Sequence, residues 1–164
     1  MRIMVDTSVL FSAILFPQGR AAEALSHCIR KHELVICSYV LDELKRVVRK
    51  KFPSRLSELD TFFEKLSFEL VYTPEHIEKA LFPIRDPKDY PILYTAVIEN
   101  VDVLLSGDDD FSDTGLTHPE IVTPAEFLKR FCPIPPLMRR DIVLPFPAIR
   151  AVWGALRSDM PRAC

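Results

Sequence analysis

The sequence lacks the patterns by which cysteine and histidine usually mark a disulfide framework or a zinc site. Its 164 residues include four cysteines and four histidines, but they form no C-x-x-C pair and no H-E-x-x-H motif. Isolated cysteines without such spacing are typical of proteins from a reducing compartment. We therefore expect free thiols, a cytoplasmic location and no structural zinc site.

A hydrophobic run of transmembrane length and a surplus of positive charge are also lacking. Asp6 interrupts the apolar N-terminal stretch, and no uncharged segment is long enough to cross a bilayer. The formal net charge is −2, with 48% hydrophobic and 27% charged residues. These values are ordinary for a soluble globular protein and give no global sign of a nucleic-acid or membrane partner. We expect no membrane association.

Short apolar segments alternate with helical patterns along most of the chain. Strands are predicted at 2–6, 34–38, 68–72, 101–107 and 120–124. Helices are predicted at 18–32, 39–52, 54–67, 73–82, 89–100 and from residue 124 onward. Two of these helices have capping signals, Thr73 before Pro74 and Thr123 with Glu126. The alternation predicts an α/β fold with a mostly parallel sheet.

Residues 132–164 differ in composition from the rest of the chain. They contain six of the fourteen prolines and five arginines against two aspartates, a net charge of +3 that leaves −5 on residues 1–131. We interpret 1–131 as one domain and 132–164 as a proline-rich C-terminal extension. Three interpretations of the extension stay open: a disordered tail, a non-native sequence, or a partner-docking segment built on the amphipathic pattern around Trp153.

Asp6 is an unusual residue to find at the end of a buried strand. A buried carboxylate is costly unless it is paired or bound to a metal. Asp108, Asp109 and Asp110 follow the fourth predicted strand, after Gly107, which would permit a tight turn. Sites in open α/β sheets form at the carboxyl ends of parallel strands, so the two acidic strand ends would be neighbours if the chain reverses between them. Such neighbours repel one another unless a cation lies between them.

Helix geometry adds two further carboxylates to this edge. On a helical wheel of residues 39–52, Glu43 borders the apolar face, whereas Asp42 faces solvent. Pro91 suits only the first turn of a helix, which places Asp89 at the helix start and in line with its apolar face. Structural interpretations stay open as well: Glu43 as an ordinary boundary residue, and Asp89 or Asp86 as the cap of a helix or turn.

Taken together, these carboxylates indicate a site for a divalent cation. The acidic residues predicted to face one edge of the sheet are Asp6, Glu43, Asp89 and Asp108. They are hard oxygen ligands without histidine or thiol, a set that suits Mg²⁺ or Mn²⁺. Such a site supports metal-assisted phosphodiester cleavage, in which the metal activates water and offsets charge on the leaving oxygen.

Four segments, VDTSVL, YVLDELKRV, DPKDYPILYTA and LLSGDDDF, resemble the motifs of the PIN-domain ribonucleases. The similarity is greatest to the VapC-like toxins of toxin–antitoxin modules and covers about residues 1–131. It implies a three-layer α/β/α sandwich around a five-stranded parallel sheet. It also implies a Mg²⁺- or Mn²⁺-dependent endoribonuclease that cleaves single-stranded RNA, with an antitoxin protein and a second copy of the chain as partners.

The resemblance also assigns roles to individual residues. Asp6, Asp89 and Asp108 would bind the metal. Glu43 would either bind it or orient the attacking water. Candidates for supporting contacts or an additional ligand are Ser8, Asp86 and Asp110. The departures from the family pattern are Ser8, where many members have asparagine, and Ser106, where threonine is usual.

A basic cluster on the polar side of the 39–52 helix is a candidate for binding RNA phosphates. Its members are Lys45, Arg46, Arg49 and Lys50. Cationic side chains there would neutralise phosphates close to an otherwise repulsive acidic site. An ordinary solvated helix face is the alternative interpretation of the same pattern.

Other function classes match the sequence less well. A haloacid-dehalogenase-type phosphatase needs a second aspartate two residues after the first, where this chain has Ser8. A receiver-like signalling domain needs an aspartate on a middle strand and a downstream lysine, and FELVY ends without one. The main alternative is a non-catalytic PIN-like scaffold or RNA- or protein-binding module. Turnover of RNA distinguishes that alternative from a nuclease.

Overall fold

The computed structural model describes residues 1–78, 81–108, 111 and 114–132. The strands are β1 (Arg2–Val5), β2 (Glu33–Cys37), β3 (Glu69–Val71), β4 (Val103–Leu105) and β5 (Glu120–Val122). The helices are α1 (Thr7–Leu15), α2 (Arg20–Lys31), α3 (Ser38–Lys51), α4 (Leu56–Lys65), α5 (Tyr90–Ile98) and α6 (Pro124–Phe131), with a short 3₁₀ turn at Pro53–Arg55 before α4. The predicted α/β class is confirmed.

All five strands form one parallel sheet in the order β3-β2-β1-β4-β5. The central strand β1 places Met4 opposite Val35 of β2 and opposite Leu104 of β4. The chain builds outward from β1 through β2 and β3, and then crosses back to form β4 and β5 on the other side. The topological switch therefore lies between β1 and β4, where open α/β sheets bind their ligands.

Helices cover both faces of this sheet. All three residues of β4 are buried, and so are residues 3–5 of β1. Successive side chains of a strand point to opposite faces, so complete burial requires a helical layer on each side. Helix α2 packs against α1 and α6, and α3 packs against α1, α4 and α5. The three-layer α/β/α sandwich around a five-stranded sheet is confirmed.

Helix α1 is an element that the sequence patterns do not predict. Its sequence, TSVLFSAIL, is apolar on most sides, and Val9, Leu10, Ala13 and Ile14 are buried. These buried residues lie on one face of the helix. The other face carries Phe11, Ser8 and Ser12 and no charged residue, so the amphipathic contrast that marks a surface helix is weak. The helix is important for the site because Asp6 precedes it directly.

The helix predicted at 73–82 is wrong: its described residues, which exclude 79 and 80, form irregular structure. The expected cap residue, Thr73, is engaged elsewhere. Its N–H donates to Ser38 Oγ at 3.0 Å, and its hydroxyl accepts a hydrogen bond from Thr95 Oγ1 at 3.1 Å. These tertiary hydrogen bonds fix the start of the segment in a non-helical conformation and override its local helix propensity.

Several predictions concern residues outside the described ranges. They include Asp109, Asp110 and the C-terminal extension beyond Cys132 with its pattern around Trp153. The division of the chain into a domain and an extension therefore stays a prediction. Within the described ranges, no helix combines the length and hydropathy needed to cross a bilayer.

The cysteines of the described residues are free thiols in the interior. Cys28, Cys37 and Cys132 are buried and form no disulfide. Burial raises the pKa of Cys28 to about 12 and also raises the pKa of Cys37. Both thiols are therefore protonated at neutral pH and act as core residues, not as nucleophiles.

Candidate metal centre

Asp6 leads directly from the C-terminal end of β1 into α1. Its N–H donates to the carbonyl of Leu105 at 3.0 Å, which extends the β1–β4 ladder by one residue. Its own carbonyl accepts the N–H of Leu10 at 3.1 Å in the first turn of α1. The side chain is only 3% exposed. Strand pairing and helix initiation together therefore hold this carboxylate at the topological switch point.

Two serine hydroxyls hold one oxygen of the Asp6 carboxylate. Ser8 Oγ donates to Oδ2 at 2.7 Å, and Ser106 Oγ donates to the same oxygen at 2.9 Å. Burial raises the pKa of Asp6, these hydrogen bonds counteract the rise, and the nearby Glu43 carboxylate adds to it. Hydroxyl dipoles thus compensate the buried charge only in part.

Ser106 connects Asp6 to the next acidic strand end. Its hydroxyl donates to Asp6 and accepts the N–H of Asp108 at 3.1 Å, while the Asp108 side chain is exposed. Gly107 makes this turn with a φ outside the left-handed region. A β carbon there would meet only Ser8 Oγ, at 4.0 Å. The turn therefore does not depend on a glycine, and the predicted adjacency of the two strand ends is confirmed.

Glu43 reaches the same edge of the sheet from α3. Thr7 Oγ1 donates to Glu43 Oε2 at 2.6 Å, and Thr7 directly follows Asp6 in the chain. Glu43 is half-buried and Asp42 is exposed, in agreement with the predicted helix phase. Sequence reasoning missed Thr7, because a hydroxyl in an apolar run gives no sign of its partner. The hydrogen bond nevertheless fixes the two carboxylates relative to each other.

Asp89 lies at the residue before α5 and is half-buried. Its side chain makes no capping hydrogen bond to the helix, so the structure does not support the capping interpretation of this residue. Asp86 has the turn-capping role instead, since its Oδ1 accepts the N–H of Lys88 at 3.0 Å. The two aspartates of this segment therefore differ: Asp86 stabilises the turn, and Asp89 occupies the helix start without capping it.

Tyr39 lies within the electrostatic reach of several of these acids. It occurs one turn before Glu43 on α3 and is half-buried. Burial is the largest cause that raises the pKa of Tyr39. The carboxylates of Glu43, Asp89 and Asp86 raise this pKa further, whereas Arg46 lowers it. The α3 and α5 carboxylates therefore border a common region, which sequence reasoning did not associate with Tyr39.

The oxygen donors at this edge fit a hard divalent cation by their chemistry. In the described part of the chain, no three acidic, histidine or cysteine side chains lie close enough together to hold one ion. Mg²⁺ requires fewer, because it keeps several waters and binds proteins through one or two carboxylates. Asp6 is the best placed of the donors. Thr7, the residue after Asp6, holds Glu43 through its hydroxyl, and Ser106 contacts both the Asp6 carboxylate and the backbone N–H of Asp108.

The basic cluster of α3 does not behave as one group. Lys45 Nζ lies 2.9 Å from Asp60 Oδ1 on α4, so this ammonium is engaged within the protein. Arg49 and Lys50 are exposed in the last turn of the helix. Arg46 is exposed too, and its charge acts on Tyr39 at the acidic edge. Arg46 is therefore the member of the cluster with the clearest link to the site.

The family model described as "PIN domain" matches residues 2–110 of the sequence. The chain belongs to the PIN domain family. The matched part of this PIN domain runs from β1 through β4 and includes Asp6, Glu43, Asp89 and Asp108. No curated protein matches the sequence.

Two solved structures have a fold similar to that of this PIN domain. One is VapBC2 from Rickettsia felis bound to a DNA fragment from their promoter, with a TM-score of 0.59, 18% identity, and coverage of 75% of this chain and 98% of the other. The other is DNA-bound VapBC from Salmonella typhimurium, with a TM-score of 0.58, 17% identity, and coverage of 76% and 98%. At these identities the likeness establishes the fold.

Proposed function

We propose that this PIN domain is a metal-dependent endoribonuclease that cleaves single-stranded RNA, as the toxin of a toxin–antitoxin module. The observation that carries the proposal is the buried carboxylate of Asp6, held at the topological switch beside the like charge of Glu43. Family membership supports nuclease chemistry. The similarity to the VapBC structures supports the toxin role that the sequence motifs suggest.

Asp6 would be the main ligand of a Mg²⁺ or Mn²⁺ ion, with Asp108, Asp89 and Glu43 at its border. When bound, such an ion activates water for attack on phosphorus and offsets charge on the leaving oxygen. Ser8 and Ser106 orient the carboxylate of Asp6 through its Oδ2. Thr7 orients Glu43 in the same way. These hydroxyl contacts fix the donors before an ion arrives, which limits the cost of reorganisation.

RNA phosphates would be bound chiefly by Arg46, Arg49 and Lys50. Lys45 would contribute only after it leaves Asp60, so we rank it below the other three. Contacts of this kind are electrostatic, and the affinity for RNA should fall steeply as salt concentration rises. Arg46 would bring the backbone closest to the acidic edge, because its charge already acts on Tyr39 there.

The proposal includes partners and a location. An antitoxin protein would bind this domain and block the acidic edge, and two copies of the chain would form a homodimer. Residues 1–131 would form the catalytic domain, residues 132–164 an extension to it, and the protein would act in the cytoplasm. Co-purification of a protein encoded in an adjacent reading frame, and the mass of the purified chain in solution, test these two partners.

One observation favours a second candidate, a non-catalytic PIN scaffold that binds RNA or protein. Within the described ranges, no three metal-binding side chains are gathered around one point. A scaffold of this kind would bind RNA tightly and would not turn it over. The two candidates therefore predict opposite results in one cleavage assay.

The test is cleavage of a labelled single-stranded RNA by the full chain. We expect activity with Mn²⁺ or Mg²⁺, no activity with chelator, and a loss of more than about a hundredfold in Asp6→Asn. Asp102→Asn is the matched control, because Asp102 is an exposed aspartate at the opposite edge of the sheet and should leave activity unchanged. Cleavage that survives Asp6→Asn contradicts the proposal, and tight RNA binding without turnover supports the scaffold.

A further inference from the structure

A cavity of about 450 Å³ opens beside Asp108, between the ends of β4 and β5 and the start of α6. Its buried apolar wall includes Phe111 and Val122. Thr114, Thr117 and other small polar residues complete the lining. The cavity, called the slot below, therefore combines buried apolar residues with a few polar groups, as small-molecule sites do.

The charged groups of this cavity have one sign. Among the described residues that line it, none is cationic, and Asp108, Glu120 and Glu126 contribute carboxylates. Arg130 pairs with Glu120 and compensates the charge of that carboxylate. A phosphate would meet carboxylates and no cationic side chain among the described lining residues, so the slot does not suit the RNA backbone.

Glu126 is the carboxylate that can serve as an acceptor at the rim. It closes the capping box of α6, where the N–H and the hydroxyl of Thr123 donate to its Oε2 at 3.0 and 2.9 Å. The other oxygen, Oε1, takes neither of these two hydrogen bonds. Because the capping contacts also lower the pKa of Glu126, the group is a charged acceptor at neutral pH.

A flat ligand that donates hydrogen bonds and has no charge fits these properties. Adenine, guanine and cytosine each present an exocyclic amino group, whereas uracil presents a carbonyl oxygen in its place. RNA-binding sites commonly take up a single unstacked base between apolar walls and read its edge through hydrogen bonds. An amino group directed at Glu126 would gain a charge-assisted bond, and a carbonyl oxygen there would be repelled.

We propose that this cavity is a nucleobase subsite, which takes one amino-bearing base next to the bond that is cleaved at the acidic edge. The proposal rests on the proposed function, since it places a base of the RNA substrate beside Asp108. Ser106 links the two sites, because it lines the cavity and also donates to Asp6. Occupation of the slot would therefore position the neighbouring phosphate at the candidate metal ligands.

The test measures nucleoside binding without metal and without cleavage. Isotope-labelled full-length protein is titrated in chelator with two matched pairs, cytidine against uridine and adenosine against inosine, and amide NMR signals are followed. We expect shifts at Thr114, Gly115 and Thr117, with a preference of about tenfold or more for the amino-bearing member of at least one pair. Equal binding within both pairs, shifts elsewhere, or no binding at all overturns the proposal.

Two variants and a control test whether nucleosides bind in the slot and whether Glu126 determines the preference. Leu116→Trp fills the cavity that Leu116 lines and should abolish the shifts, whereas Leu81→Trp, at an exposed residue outside this lining, should not change them. Glu126→Gln keeps the capping box, which accepts glutamine at this position, but replaces the charged acceptor. The preference for the amino-bearing nucleoside should fall to about twofold or less in this variant. An unchanged preference contradicts the role of Glu126.

The result is separable from that of the cleavage assay. Amino-selective binding in a protein that never cleaves RNA would refute the nuclease and leave the subsite in place. Metal-dependent cleavage in a protein that shows no selective binding would refute the subsite and leave the nuclease in place.

Discussion

The acidic side chains at the two edges of the sheet have different kinds of partner. At the N-terminal edge, Arg2 approaches Glu69 with Nη2 at 2.8 Å and Nε at 3.1 Å, and its Nη2 lies 3.9 Å from Glu99. At the C-terminal edge, Asp6 and Glu43 receive serine and threonine hydroxyls. Among the residues that the structure describes, neither of these two carboxylates has an ion-pair partner.

This difference separates a structural role from a functional one. A guanidinium that binds a carboxylate through two nitrogens supplies a full compensating charge, and the contact raises the pKa of Arg2. Hydroxyl dipoles orient a carboxylate but do not cancel its charge, so the pKa of Asp6 stays raised by burial. The Arg2 edge is complete as folded, whereas under the proposed function a cation from solution would complete the Asp6 edge.

The functional role of the Asp6 edge can be tested within one helix by comparing Glu43→Gln with Asp42→Asn. Glu43 accepts the Thr7 hydrogen bond at the acidic edge, whereas Asp42, the preceding residue of α3, is exposed. We expect metal-dependent RNA cleavage to fall by about tenfold to a hundredfold in Glu43→Gln and to be unchanged in Asp42→Asn. Equal losses in both variants would show that the helix phase does not determine the site.

Removing the positive charge of Arg2 at the N-terminal edge should lower the stability of the fold and leave RNA cleavage unchanged. Arg2→Met keeps much of the apolar stem but removes the hydrogen bonds to Glu69 and to the carbonyl of Glu99. We expect a loss of about 1–2 kcal/mol, seen as a fall of about 2–6 °C in the thermal midpoint. Arg30→Met, at an exposed residue of α2, is the control and should leave the midpoint unchanged.

Cleavage per folded molecule should be the same in Arg2→Met as in the native sequence. A large loss of activity in the folded variant would contradict the separation of the two edges. An Arg2→Met variant as stable as the native chain would also contradict this separation.

The smallest effect concerns pH. Because burial raises the pKa of Asp6 above its unfolded value, folding binds a proton between the two pKa values, and Asp6 lowers the free energy of unfolding as pH rises from about 4. Asp6→Asn lacks this titration. In metal-free protein, urea unfolding should show Asp6→Asn gaining stability over the native chain with rising pH. A difference that is constant or shrinks with rising pH would contradict the raised pKa.

The sequence predicts the sheet because its strands are short apolar runs between turn signals, and Asp6 stands out within one of them. Helix α1 gives no such signal, because the face opposite its buried residues Val9, Leu10 and Ile14 carries no charged residue and the amphipathic contrast is weak. The wrong prediction of a helix at 73–82 has the opposite cause, a local signal that tertiary contacts override. Its local capping signal is real, but Thr73 binds Ser38 and Thr95, which lie far away in sequence.

For the site as well, the sequence predicts what depends on local pattern and does not predict what depends on tertiary contacts. The position of Glu43 follows from the phase of a clearly amphipathic helix, which local sequence contains. The partners of the carboxylates do not follow, because Thr7 and Ser106 are common small residues whose hydrogen bonds depend on how β1, α3 and β4 come together. For the same reason local sequence does not predict the cavity beside Asp108, which lies between strands and a helix that are separate in sequence.

The most direct test of the central claim is calorimetric titration of Mn²⁺ into the metal-free full chain and two variants. We predict saturable binding to the native sequence, the same affinity in Arg2→Met, and a loss of about a hundredfold or more in Asp6→Asn. Binding by Asp6→Asn with the affinity of the native chain would contradict the account, because the cation would then be held by groups other than the buried carboxylate at the switch point.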